Sequence, residues 1–230
     1  MRRIIDVRAI GWLHECSRVS RGAMDGLAVD SDAHIFPDSF FSFNNQKQTS
    51  NSSLEDFMQE TPEQYIKRLL GYVEGKDPLR VQRETPKKLQ SLIKPLSKKQ
   101  LTQRPEPGKW SVAEILAHLA DAELVGGWRM RLILGNNGAS LQPFDQDVWA
   151  ETFAYARRDP AASLETFRVL RESNLAMLKA LPKNLWENYG MHQERGKETI
   201  THIVRMFAGH DLNHLGQIEK IKKGGSKRAA

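Results

Sequence analysis

Two histidines, His210 and His214, stand four residues apart in the segment GHDLNHLGQIEKI, and a third, His118, lies in a separate apolar-periodic stretch. On an α-helix, positions four apart differ by about 40° in direction and sit one turn above each other, so both imidazoles can reach one ion. The spacing matches that of the HExxH zinc-protease helix, but Asp211 follows the first histidine and Asp-Leu-Asn separates the pair, which excludes that motif. A helical pair at this spacing also suits a hydrogen-bonded seam between helices. What favours a metal is the third imidazole. Three neutral histidines suit Zn²⁺, Ni²⁺ or Fe²⁺ and leave coordination positions open for water or substrate, as catalytic sites do. A divalent ion so held acidifies a water toward neutral pH or takes a substrate thiol as thiolate.

The elements that must position these side chains can be read from capping and periodicity. Thr61-Pro62-Glu63-Gln64 combines an N-cap, an N1 proline and a capping-box glutamine. The element it opens carries Tyr65, Leu69, Leu70 and Val73, loosens at residues 75–78, and resumes with Leu89, Leu92, Ile93 and Leu96. Pro86 is expected to break or kink it. Ser111 and Glu114 form a second capping box before a long apolar-periodic run through Ile115, Leu119, Ala122 and Val125, whose inward stripe includes His118. Asn136-Asn137-Gly138 ends that run. An irregular stretch with Trp149, Phe153 and Tyr155 follows, a lid or a short helical segment. Asp159-Pro160 opens a helix with Leu164, Phe167, Leu170, Leu175 and Leu178 that stops before Pro182. The last helix begins near Thr199, runs to about Lys222 and closes at Gly224-Gly225; Met206, His210, Asn213, His214, Gln217 and Ile221 share one stripe of it. No segment alternates as a strand does. Four long helices predict an all-α four-helix bundle, a fold that builds metal sites from inward side chains of facing helices.

Composition narrows the function classes. The 230 residues carry a formal charge of +6, concentrated at residues 67–104 and in the tail KKGGSKR, with no paired zinc-finger cysteines or aromatic ribonucleoprotein strand, so specific nucleic-acid binding is not expected. One cysteine, Cys16, excludes an internal disulfide framework. No apolar run approaches the roughly 20 residues of a membrane span, and Asp6 and Arg8 interrupt the N-terminal one. A cytoplasmic protein without membrane association is the expectation. Residues 1–57 mix turn formers with an Asn/Gln/Ser run and read as a disordered or non-native N-terminal extension, with Met58 as the natural start; 58–222 form the bundle and 223–230 a disordered basic tail.

The segment PGKWSVAEILAHLADAE around His118, followed at long range by HDLNHLGQI, resembles the DinB/YfiT-like superfamily of metal-dependent hydrolases and thiol S-transferases. The resemblance covers residues 61–222. It implies a four-helix bundle of up-down-down-up order and a divalent metal held by His118, His210 and His214. It leaves the reaction open among hydrolysis, thiol transfer and thiol-dependent isomerisation.

Other residues carry paired readings. Glu114, one turn from His118, suits a general base or a carboxylate behind a ligand, and equally the N3 member of its capping box. Asn213 and Gln217 suit ligand orientation or substrate binding, against plain interhelical hydrogen bonding. Asp121 and Asp211 are candidates to hold imidazole Nδ1–H groups. Arg129 suits an anionic substrate or an internal salt bridge, Trp110 a packing anchor, and His192 a loop position near the ion; His202 points away. The expectation is a metal-dependent hydrolase or thiol S-transferase acting on a small molecule, a low-molecular-weight thiol included, and compatible with a homodimer. The alternative is a non-catalytic metal- or ligand-binding bundle.

Overall fold

The computed structural model describes residues 60–228, with side chains through Gly224. The readings of residues 1–57 as an extension and of Met58 as a start lie outside the described residues. Helices α1 (Pro62–Val73), α2 (Pro78–Ile93), α3 (Lys98–Thr102) and α4 (Val112–Gly135) come first. Strand β1 (Ala139–Leu141), α5 (Gln146–Thr152), α6 (Pro160–Lys179), the hairpin β2 (Tyr189–His192) and β3 (Gly196–Thr199), and α7 (Ile200–Arg228) follow. Side chains set the helix starts. Thr61, Ser97 and Ser111 form full capping boxes with Gln64, Gln100 and Glu114, and Asp77, Asp145 and Asp159 accept first-turn N–H groups. Thr199 Oγ1 accepts from the His202 N–H at the start of α7.

Helices α2, α4, α6 and α7 make the bundle, and their pairings give the order of directions. On α2, Gln82 donates to the Val204 carbonyl while Leu89 packs with Leu215 and Ile218, so α2 and α7 run parallel. On α4, His118 meets His210 and His214, whereas Met130 packs with Ile203 and Val204, so α4 opposes α7. Ala120 lies beside Ser163 and Arg131 beside Ser173, so α4 and α6 are parallel and need a long crossover. The result is up-down-down-up. Helix α1 crosses α7, with Arg68 on Asn213. There the backbones nearly touch: a Cβ built on Gly209 would lie 2.1 Å from the Leu69 carbonyl oxygen, so only glycine fits one residue before His210.

Two apolar clusters fill the bundle. One joins Leu89, Ile115, Leu119, Phe167, Leu215 and Ile218; the other joins Met130, Ile133, Leu141, Leu178, Ile200 and Val204. Between them lies a buried polar layer. Arg171 donates to Asp211 at 2.5 and 3.0 Å, to Glu123 at 2.8 Å, and stacks over Phe167. Burial pushes the Asp211 carboxyl up, Arg171 pulls it back, and the two carboxylates hold the guanidinium protonated.

Three features depart from the sequence-based expectation. First, there is a small sheet of order β1-β2-β3, with β1 parallel to β2 and β2 antiparallel to β3. Its strands hold three or four residues each, too few for alternation to register. Second, the first element divides at residues 74–77, where Gly75 has φ 71°, and Pro86 stands inside α2. Proline cannot donate to the Gln82 carbonyl; Arg171 Nη1 does so instead, at 3.0 Å. Third, α7 continues through Gly224-Gly225 to Arg228, past the expected stop. The stretch after β1 is the short helical segment α5, where the Trp149 ring meets Phe144 at a tilt and Phe153 edge-to-face. Among the described residues no helix is long and apolar enough to cross a membrane.

Candidate metal centre

His118 sits on the inward face of α4 and is 2 % exposed; His210 and His214 come from α7, one turn apart. Their ring nitrogens converge. His118 Nε2 lies 3.0 Å from His210 Nε2, and His214 Nε2 lies 3.1 Å from the same atom. Ligand nitrogens at 2.0–2.1 Å on tetrahedral directions around one ion stand about 3.3 Å apart, so the observed spacing is within a few tenths of an ångström of a shared site.

The protonation pattern agrees. His214 Nδ1 is 2.8 Å from Gln217 Oε1, which puts the proton on Nδ1 and frees the Nε2 lone pair. Burial lowers all three imidazoles: His118 and His210 well below the ordinary value, and His214 to about 4. Charged neighbours make protonation harder still, with His214 acting on His118 and His210; at His214 the Gln217 hydrogen bond works the other way and Arg68 adds to the lowering, without undoing the effect of burial. Neutral imidazoles whose lone pairs face one another need a proton or a cation between them. His118 Nδ1, buried and without a hydrogen-bond partner, is left over by any purely hydrogen-bonded arrangement. The donor set fits a divalent ion, and among the described residues this is the cluster suited to one.

The histidines line a cleft of about 1430 Å³ between α1, α4 and α7. Trp110 forms one wall, its ring 4.9 Å from that of His118; it packs on that imidazole beside the helix start. Asn213 faces the cleft and accepts from Arg68 at 2.9 Å. Gln217 holds His214.

Other expected roles move elsewhere. Glu114 is the cap residue: its carboxylate takes the Ser111 N–H at 2.8 Å and Oγ–H at 2.7 Å and pairs with Arg104, which opposes the effect of burial and leaves its carboxyl low. Neither aspartate holds an imidazole. Asp121 accepts from Tyr155 Oη and Arg158, and Asp211 is turned about 100° from His210 into the Arg171 layer. Arg129 makes no salt bridge among the described residues; its Nη2 donates to the Gln142 carbonyl. His192 ends β2 and His202 is on α7, both outside the cluster. The Arg171 layer escaped sequence reading, although Arg171 lies four residues after Phe167 and seven before Leu178, a charge on the buried stripe of α6.

Known proteins resemble this chain in sequence and in fold. The DinB superfamily profile matches residues 83–218, which takes in all three histidines. The "Putative metal-dependent hydrolase YfiT" of Bacillus subtilis is 26 % identical over 147 residues, spanning 63 % of this chain and 82 % of that one. A "Putative metal-dependent hydrolase" of Oceanobacillus iheyensis is 26 % identical over 140 residues, spanning 61 % of this chain and 81 % of that one. The solved structure of Bacillus subtilis YfiT, described as a probable metal-dependent hydrolase with an unusual four-helix bundle topology, superposes with a TM-score of 0.61 at 21 % identity, covering 77 % of this chain and 93 % of that one. With more than half of its length matched by the family profile and the same bundle in its structural neighbour, the chain belongs to the DinB superfamily.

Proposed function

We propose that the protein is a metal-dependent enzyme, a hydrolase or thiol S-transferase, in which His118, His210 and His214 hold a zinc, nickel or iron(II) ion. The observation that carries this reading is the meeting of three Nε2 atoms on the wall of an open cleft. A divalent ion with three protein ligands supplies Lewis-acid activation of a water or a thiol. The chain's own residues prepare for it. Gln217 fixes the His214 tautomer, burial keeps the three lone pairs free at neutral pH, and Asn213 with Arg68 presents polar atoms beside the ligands. The Arg171 layer is buried on the bundle side, and the three histidines open onto the cleft, where a substrate can reach them. Glu114 enters no step, since its cap and Arg104 engage it.

The cleft favours catalysis over the non-catalytic alternative, because a structural ion is closed off by four protein ligands. A small molecule, with a low-molecular-weight thiol as candidate co-substrate, is the partner class, and a reducing compartment such as the cytoplasm is the setting that keeps such a thiol available. Metal analysis of protein purified without a histidine tag tests the site. About one divalent ion per chain is expected, and its loss in His210→Ala; full metal retention in that variant removes the assignment. Turnover of hydrolysable esters and amides, set beside thiol conjugation of electrophiles, separates the two reactions.

A further inference from the structure

We propose that Arg129 is an anion anchor: it receives a carboxylate or phosphate group of the substrate at the end of the cleft away from His118, and so places the rest of the molecule at the histidines. The proposal rests on the reading of the three-histidine site as the reactive end.

Arg129 is 7 % exposed yet lines the cleft, and its guanidinium has no carboxylate partner among the described residues. Nη2 donates to the Gln142 carbonyl, and the group lies over the Phe144 ring at 5.8 Å from its centroid. Nε–H and the Nη1 donors are left uncommitted. A guanidinium taken this far from water is ordinarily paired, and its planar fork matches a carboxylate or phosphate. Burial first, and then the charge of Arg195, push it down to about 10, so it keeps its proton at neutral pH while its charge goes under-compensated. Glu198 and Glu194 favour that charge from a distance, but neither forms an ion pair with it; Glu198 is taken by Arg195 at 2.7 and 3.1 Å.

The surroundings hold this end in shape. His192 Nδ1 accepts the N–H groups of Glu194 and Arg195, which fixes the turn that carries both onto the cleft wall. The Nε2–H this leaves on His192 is buried without a partner, a second uncommitted donor beneath the same end of the sheet. The sheet thus has a task, since β1 delivers the Gln142 carbonyl that orients Arg129. His118 and Arg129 lie eleven residues apart on α4, about 16 Å along the axis and within about 20° of the same direction. A long helical side chain leans toward the helix N-terminus, which brings the guanidinium to roughly 10 Å from the histidines. A substrate of that length, anionic at one end and reactive at the other, spans the cleft.

The test uses the full chain, metal-loaded and metal-free, titrated with inorganic phosphate, acetate and succinate while side-chain Nε–H resonances of arginine are followed by NMR. The expected result is a saturable shift of the Arg129 signal that persists in His118→Ala and weakens about tenfold or more in Arg129→Met. Stronger succinate binding identifies the carboxylate, stronger phosphate binding the phosphate ester. Shifts confined to Arg195, to Arg68 or to the histidines overturn the proposal, as does unchanged affinity in Arg129→Met or no saturation by any probe. The wild-type titration decides even if Arg129→Met does not fold. Metal content measured on the same samples distinguishes failure of the anchor from failure of the metal site.

Discussion

Replacing Arg171 by methionine removes the one cation of a buried layer that holds two carboxylates. Asp211 and Glu123 are 1 % and 3 % exposed, and Arg171 itself is 1 % exposed, so none of the three can recover its hydration without the bundle opening. Breaking a buried pair from one side costs about 3–5 kcal/mol, because a charge stays behind without compensation. Here two stay behind. Asp211, whose carboxyl burial already pushes up, can escape in part by taking up a proton, which limits the total. The Gln82 carbonyl, which Pro86 cannot serve, also loses its donor, adding about 1 kcal/mol. The expected loss is about 4–6 kcal/mol, comparable with the whole stability of many domains. Urea unfolding of the metal-free protein measures it, with the slope m checked for constancy so that the comparison stays two-state. The triple variant Arg171→Met, Asp211→Asn, Glu123→Gln removes the stranded charges and is expected to regain more than half of the loss. A loss under about 1 kcal/mol in the single variant, or a triple variant no more stable than the single, refutes the account of the layer as a charge-compensated unit.

Gln217→Ala frees the His214 ring and its tautomer, so metal affinity is expected to fall by about 10- to 100-fold, while Gln217→Glu, which keeps an acceptor on Nδ1–H, retains most of it; competition with a chromophoric chelator reads both, and an unchanged Gln217→Ala would sink the orienting role. Acid is expected to weaken the metal-free protein through its histidines. The His214 imidazole is lowered from 6.5 to about 4 in the fold, so between those values the unfolded chain binds a proton that the folded chain does not. Stability is therefore retained above pH 6.5 and lost as pH falls toward 4, by roughly 3 kcal/mol for this group. Denaturant midpoints across that range should fall less steeply in His214→Gln, and parallel curves would refute the assignment.

Much of the scaffold was legible because local chemistry marks it strongly. The cap residues Thr61, Ser111 and Asp159, with the residues that answer them, set three helix starts within a residue or so. The stripes of α4 and α7 predicted that His118 and the His210–His214 pair face the interior, and the structure brings their Nε2 atoms together. What stayed illegible depends on partners far apart in sequence. Pro86 reads locally as a breaker, and only the approach of Arg171, 85 positions later in the chain, lets α2 run through it. Asp211 beside His210 reads as a natural imidazole partner, yet one residue of helix rotates it into a different layer. Strands of three and four residues carry too few positions for a period of two to stand out, and they form because the crossover and the β2–β3 hairpin meet.

The same rotation explains why a charged layer lies behind the candidate metal centre. Buried ionic networks contribute little net stability compared with well-packed apolar residues, so the Arg171 layer needs another reason to be there. Helix α7 carries two polar faces: His210 and His214 toward the cleft, Asp211 toward the core. The twofold hydrogen bonding between Asp211 and Arg171, with Arg171 tied in turn to Glu123 on α4, sets the angle of α7 about its axis relative to the helix that carries His118. A turn of α7 by 20° or so would separate both pairings at once, whereas sliding apolar contacts would tolerate it. The layer is therefore expected to orient the three histidines more than it stabilises the bundle. The two contributions separate in the triple variant described above, which is expected to recover stability while its metal affinity stays below that of the wild type; recovery of both together would mean that apolar packing and Gly209 alone hold the histidines in place.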